Sequence, residues 1–230
     1  MVTKKKLWIF GQSQSTPFRL SDKKRGWDNL LSRKLNIPFE NHGQPGADNF
    51  YIYYTLLENL KRIKSGDIVI IGWSHPSRKT FVVDHKNNIH KNLLDGSIVY
   101  KNKKHHFMRN SSAHTETFPS VFWDKMEPRN SGTTFYDQWY ANYYSTTEQN
   151  VNFQSYLWAA KNSLIDVVHF NFFFSKESVK HIQVYNSLGH ALEFGRSNKA
   201  TISKRDYHFN KLGHRLWTNR IYRRIKNEIK

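Results

Sequence analysis

Four short segments of this chain carry groups that acyl-transfer chemistry can use, and each lies where an apolar run stops or a helix starts. Ser13 ends Gly11-Gln12-Ser13, directly after the apolar run Leu7 to Phe10. Gly46 offers a backbone N–H at a helix start, Ser74 and His75 follow the run Asp67 to Gly72, and Asp206 and His208 precede the last helical stretch. A serine attacks well only when an imidazole takes its proton. The imidazole needs a carboxylate or carbonyl to set its tautomer, and the developing oxyanion needs fixed donors. Ser13 is therefore a candidate nucleophile, with two readings open: a reactive hydroxyl, or a serine that shapes a turn. Gly46 reads equally as a turn glycine, a role compatible with donating its N–H. Asp206 can orient an imidazole or cap the last helix. His214 competes with His208 as base, but its place one turn into the helix suits a packing histidine better.

These groups meet only if the elements before them are neighbouring strands. Leu7 to Phe10 is a continuous apolar run ended by glycine, the pattern of a central parallel strand covered on both faces. Trp27, Leu30, Leu31 and Leu35 keep helical spacing. Ile37 to Asn41 reads as a short second strand, with Pro38 tolerated near an edge or a strand start. Ile52, Leu56, Leu57, Leu60 and Ile63 mark a helix from Ala47 to Lys64, stopped at Ser65-Gly66. Asp67 to Gly72 is the clearest strand in the chain. The order β-α-β-α-β implies parallel strands joined by right-handed crossovers, and in such open sheets ligands bind just past the carboxyl ends of the strands.

From about 73 to 145 the sequence turns polar and rich in His, Asn and Lys. Thr80 to Val83 and Ser97 to Tyr100 are expected to form a hairpin. Phe118, Phe122, Trp123, Phe135, Trp139, Tyr143 and Tyr144 are expected to pack a small lid or subdomain, since so long a structureless loop would be unusual. After it come a helix at about 146 to 162, a fourth strand within Leu164 to Phe174, a helical stretch at about 177 to 192, and a final helix with Leu212, Leu216, Ile221, Ile225 and Ile229 on one face.

Composition narrows the chemistry. With 230 residues, of which 38% are hydrophobic and 15% aromatic, the chain can bury a core as one domain, 1–230, carrying the insertion at about 73–145. There is no cysteine, which excludes disulfide scaffolds, Cys-ligated zinc and thiolate catalysis. His75, His85, His90, His105, His106 and His114 lack the spacing of a metal site, and no nucleotide-binding glycine motif occurs, so no metal and no cofactor is assigned. No run is long enough for a signal-peptide core or a membrane span. The expected location is cytoplasmic or virion-associated. The formal charge of +18 favours contact with polyanions. It is scattered over Lys4 to Lys6, Lys101 to Lys104 and Arg215 to Lys230, without the interleaved aromatics of a single-strand binding platform.

Gly11-Gln12-Ser13, Asn41 with Gly46 five residues on, Ile70-Ile-Gly-Trp-Ser74, and Asp206-x-His208-x-Asn210-x-x-Gly213-His214 together resemble the SGNH hydrolase superfamily of GDSL-like esterases and lipases. The resemblance runs in order from end to end, outside the insertion. It implies an α/β fold: a three-layer α/β/α sandwich on a flavodoxin-like parallel sheet with an inserted lid or hairpin region. It also implies a catalytic triad of Ser13, His208 and Asp206, and an oxyanion hole from the N–H groups of Ser13 and Gly46. Gln12 stands where the family's first motif has Asp, and Trp73-Ser74-His75 where Gly-Asn-Asp is common, so Ser74 becomes the third candidate oxyanion donor. The acid also precedes the base by two residues where three is commoner. The third motif, Gly72 to Arg78, resembles that of uncharacterised bacteriophage members.

Two functions follow. The first is a serine esterase cleaving a small acyl ester, such as a carbohydrate O-acetyl group. The second is a catalytically impaired relative that binds a polyanion or forms a structural part of a phage particle.

Overall fold

The computed structural model describes residues 5–17, 20–76, 78, 80–83, 98–101, 106–109, 145–203 and 206–228. Five strands form one sheet: β1 (Leu7–Gly11), β2 (Phe39–Asn41), β3 (Ile68–Trp73), β7 (Val168–Phe173) and β8 (Ser187–His190). Their order is β2-β1-β3-β7-β8 and every neighbouring pair is parallel. This is the 2-1-3-4-5 order of flavodoxin-like doubly wound sheets, in which the ligand crevice opens between the first and third strands.

Strict alternation along the inner strands supplies two cores. Leu7, Ile9, Ile68, Ile70, Phe170 and Phe172 face one layer, where they meet Trp27 and Leu31 of α1 (Trp27–Leu35) and Trp217, Ile221 and Ile225 of the C-terminal helix, Lys211–Glu228. Trp8, Phe10, Val69, Ile71, Trp73 and Phe173 face the other. There they meet Ile52 and Leu56 of α2 (Asn49–Asn59) and Phe153, Leu157 and Ala160 of α3 (Thr146–Ser163). Alternate side chains of one strand point to opposite faces, so an apolar run without alternation must be covered twice. The expected three-layer α/β/α sandwich is the fold.

The edge strand β2 is short. Pro38, just before it, has no N–H to give, but its carbonyl accepts the Leu7 N–H at 2.9 Å. The helix expected from Ala47 begins at Asn49, because the Asp48 side chain accepts the Tyr51 N–H at 2.9 Å and caps it. It gives way after Asn59 to a 3₁₀ turn, Leu60–Arg62.

Three expectations are corrected. The stretch at 177 to 192 is not a helix: it holds a 3₁₀ turn at Glu177–Val179, the fifth strand β8, and the start of α4 (Ala191–Ser197). Strand β8 buries only Leu188 fully, so it has no apolar run to announce it. The last helix, α5 (Lys211–Glu228), buries Gly213, His214, Trp217, Thr218, Ile221 and Ile225, while Leu212 is exposed. Ile221 and Ile225 face inward as expected, Trp217 and His214 stand in place of the leucines, and Ile229 lies outside the described residues. Finally, β4 (Thr80–Val83) and β5 (Ile98–Lys101) do not pair with each other. Both pair antiparallel with β6 (His106–Arg109), which lies between them. The seven aromatics expected to pack the insertion, and His85, His90, His105 and His114, lie outside the described residues. Among the described residues no helix is long and apolar enough to cross a membrane.

Candidate active site

Strand β1 ends in a tight 3₁₀ turn, Ser13–Ser15, rather than entering a helix directly. Gln12 caps it: its Oε1 accepts the Gln14 N–H at 3.1 Å and the Ser13 hydroxyl at 2.8 Å. The neutral amide thus does the capping a carboxylate would do. The turn is locked from below by Ser15, which is fully buried. A Cβ on either Gly11 or Gly72 would run into Ser15 Oγ, so the ends of β1 and β3 must both be glycine for the turn to tuck in. Trp27 Nε1 donates to the Gln14 carbonyl at 2.9 Å and holds the turn from α1.

The loop after β2 lies against the same turn. Gln44 N–H donates to Gly11 O at 2.8 Å, and Asn41 Nδ2 donates to Ser15 O at 2.8 Å and to Asp28 Oδ2 at 2.9 Å. Burial pushes the Asp28 carboxyl up from its ordinary value against the hydrogen bonds of Asn41 and Asn29. Gly46, with φ +76°, makes the bend that leads into α2. Among the described residues, neither the Ser13 N–H nor the Gly46 N–H is taken by an acceptor. Ser74 follows β3, with its N–H donated to Asn49 Oδ1 at 2.8 Å. Its hydroxyl is buried and has no hydrogen-bond partner among the described residues.

Asp206 and His208 stand on a loop folded back on itself. Thr201 bridges Phe209, the Ile202 N–H donates to His208 O at 2.9 Å, and the Asn210 N–H donates to Ala200 O at 3.0 Å. Within this frame Asp206 Oδ1 lies 2.6 Å from His208 Nδ1 and accepts the His208 N–H at 3.1 Å. One carboxylate oxygen thus fixes both the backbone and the ring, which makes a two-residue spacing workable. Asp206 does not cap α5. Asn210 does, its Oδ1 accepting the Gly213 N–H at 2.9 Å. With Nδ1 donated to Asp206, Nε2 is the basic nitrogen of His208.

A hydrogen bond joins the Ser13 turn to the His208 loop. Gln14 Nε2 donates to Tyr207 O at 2.9 Å, which ties the residue after Ser13 to the residue before His208. Arg196 lies over the Tyr207 ring, 4.6 Å from its centroid. The Ser13 hydroxyl itself points to Gln12, not to His208.

The competing histidines have other roles. His214 Nδ1 accepts the Trp27 N–H at 3.2 Å, and burial with the nearby His208 pushes its imidazole down to about 4. Desolvation and the Arg78 cation push His75 down to about 3. An imidazole that weak is a poor general base near neutrality. Among the described residues no group of His, Asp and Glu converges in a way that could hold a metal ion.

Gln14, Asn41 and Asn49 were not singled out from the sequence. Each acts through an amide that bridges two loops, and a lone Asn or Gln in a turn has no spacing to reveal it. Asn49 alone had a signal, as the residue after a helix-capping aspartate three positions past Gly46.

No family model matches the chain, and no curated protein does. Among solved structures, it is similar to a protein assigned to the lipolytic G-D-S-L family from Desulfitobacterium hafniense (12% identity, 95% of this chain and 98% of that one, TM-score 0.48). It is also similar to a member of the same family from Veillonella parvula (9% identity, 95% and 96%, TM-score 0.46). A third likeness is to the acetyl xylan esterase AlAXEase (10% identity, 95% and 98%, TM-score 0.47). At TM-scores below 0.5 these likenesses assign neither fold nor activity. The sheet order and the side-chain geometry stand on their own.

Proposed function

We propose that this chain is a serine acylhydrolase of SGNH type that cleaves a small acyl ester, with a carbohydrate O-acetyl group as the substrate class. The observation that carries the reading is the Asp206–His208 contact of 2.6 Å on a loop bonded to the Ser13 turn through Gln14 and Tyr207. A carboxylate bound to one imidazole nitrogen sets the tautomer a general base needs.

In the proposed reaction, the Ser13 hydroxyl hydrogen swings from Gln12 Oε1 to His208 Nε2 as Oγ attacks the ester carbonyl. The oxyanion is met by the N–H groups of Ser13 and Gly46. Collapse expels the alcohol, which takes the proton from His208. Water, deprotonated by His208, then attacks the acyl-enzyme, releases the acid and returns the proton to Ser13. The Ser74 hydroxyl is the third donor assigned from the sequence. Asn49, already bonded to the Ser74 N–H through its Oδ1, is better suited, since its amide Nδ2 extends further than a hydroxyl.

The purified protein should hydrolyse p-nitrophenyl acetate, and Ser13→Ala should abolish this while leaving the circular dichroism spectrum unchanged. Undiminished turnover by Ser13→Ala would overturn the reading.

The Ser13–Gln12 hydrogen bond favours a second reading, in which the hydroxyl is a structural cap and the fold serves to bind a polyanion or as a part of a phage particle. Absence of turnover in the wild-type protein would select it.

A further inference from the structure

Helices α1 and α5 pack together on one face of the sheet through Trp27, Leu31, Trp217 and Ile221. A cleft of about 600 Å³ lined by Arg25, Leu30, Asn210, Lys211, Leu212 and Arg215 opens between them. A second hollow of about 290 Å³ shares Leu30 and Arg215 with the first and adds Arg33 and Lys34. Side by side, the two hollows carry five cationic side chains and, among the described residues, no carboxylate. Arg25 is paired with Asp22 at 2.9 Å, and Arg33 is engaged with the Asn29 and Lys24 carbonyls. Among the described residues the side chains of Lys211 and Arg215 make no ion pair or hydrogen bond. Along the chain the cleft is next to the candidate site: its Asn210 stands two residues after His208, and its Arg25 two residues before Trp27, whose indole Nε1 donates to the Gln14 carbonyl of the Ser13 turn.

We infer that this cleft is the carrier subsite and that the ester is borne by an acidic polysaccharide. The inference rests on the proposed acylhydrolase reading. Carboxylates along a glycan would pair with Lys211 and Arg215, and the apolar floor of Leu30 and Leu212 suits the C–H faces of sugar rings. Nucleic acid fits less well. Among the described residues no aromatic ring lines either hollow, so they offer no stacking platform of the kind single strands use.

The test compares the wild type with a Lys211→Glu/Arg215→Glu double variant and, in parallel, Lys211→Gln/Arg215→Gln. Both positions are exposed, and a carboxylate at 211 falls in the first turn of α5, where the helix dipole favours it. On O-acetylated polygalacturonate the charge-reversed variant should lose about tenfold or more in kcat/KM, mainly through KM, with the Gln variant in between. Turnover of p-nitrophenyl acetate should not change. Equal losses on both substrates, or no loss on the polymer, would overturn the inference.

Binding of fluorescent, unacetylated polygalacturonate separates this inference from the activity. Binding that weakens in the double variant supports the subsite even if no esterase activity is found. Absent or undiminished binding overturns it. Tighter, Lys211- and Arg215-dependent binding of a single-stranded oligonucleotide would overturn the choice of a glycan.

Discussion

At the scale of single residues, the proposed base and the proposed nucleophile are held differently. Asp206 Oδ1 takes two hydrogen bonds from His208, so the ring is held in one orientation before any substrate arrives. The Ser13 hydroxyl, by contrast, is spent on Gln12. Replacing Asp206 by Asn keeps the shape but supplies no charge to stabilise an imidazolium, and it can bind the wrong tautomer. In the proposed mechanism Asp206→Asn should lower kcat for p-nitrophenyl acetate by about a thousandfold or more with little change in KM. Steady-state kinetics at saturating substrate measures this, and a loss under tenfold would remove Asp206 from the triad. The Asp206–His208 pair was legible in the sequence, because two titratable groups beside a helix start are a compact pattern. The amides of Gln14, Asn41 and Asn49 were not, because each bonds a residue distant in sequence: Tyr207, Asp28 and Ser74.

At the scale of elements, legibility followed how much of a segment is buried. Strands β1 and β3 are buried at every position and stood out as apolar runs. The edge strand β8 buries one side chain fully, and its mixed polar sequence resembled a helix more than a strand. In helix α5 the expected Ile221 and Ile225 are buried, but Trp217 and His214 fill the inward face where Leu212 and Leu216 were expected. Hydrophobicity alone ranks leucine above a histidine. The structure ranks them by contact: His214 satisfies the Trp27 N–H at the start of α1, which no leucine could do. In the insertion, the third strand His106–Arg109 lies between the two that were expected to pair. Pairing partners depend on loop geometry rather than on strand propensity, which is why the strands were visible and their order was not.

At the scale of the whole molecule, the two faces of the sheet carry different tasks. One packs α2 and α3 over an aromatic core; the other packs α1 and α5, and there the His214 imidazole joins the helices under the candidate site. That histidine makes stability depend on pH. In the unfolded chain it takes up a proton near its ordinary value of 6.5, whereas in the fold it resists until about 4. Between these values the unfolded state binds more protons, so the contribution is fully present above pH 6.5 and is lost as pH falls to 4, an effect of about 3 kcal/mol. A His214→Gln variant, whose side-chain oxygen can still accept the Trp27 N–H, should lose about that much less stability than the wild type over this window. Denaturant unfolding at a series of pH values measures it; parallel curves for the two proteins would show that His214 does not titrate with folding.

The central claim is that Ser13 is a nucleophile activated by His208, and covalent capture tests it most directly. The wild-type protein and its His208→Ala variant are treated with a fluorophosphonate, digested with trypsin, and analysed for an adduct on the peptide spanning residues 7–19. Phosphonylation at Ser13 is expected in the wild type, with a large fall in its rate in the variant. No adduct on the wild-type peptide, or an equal rate in both proteins, would contradict it.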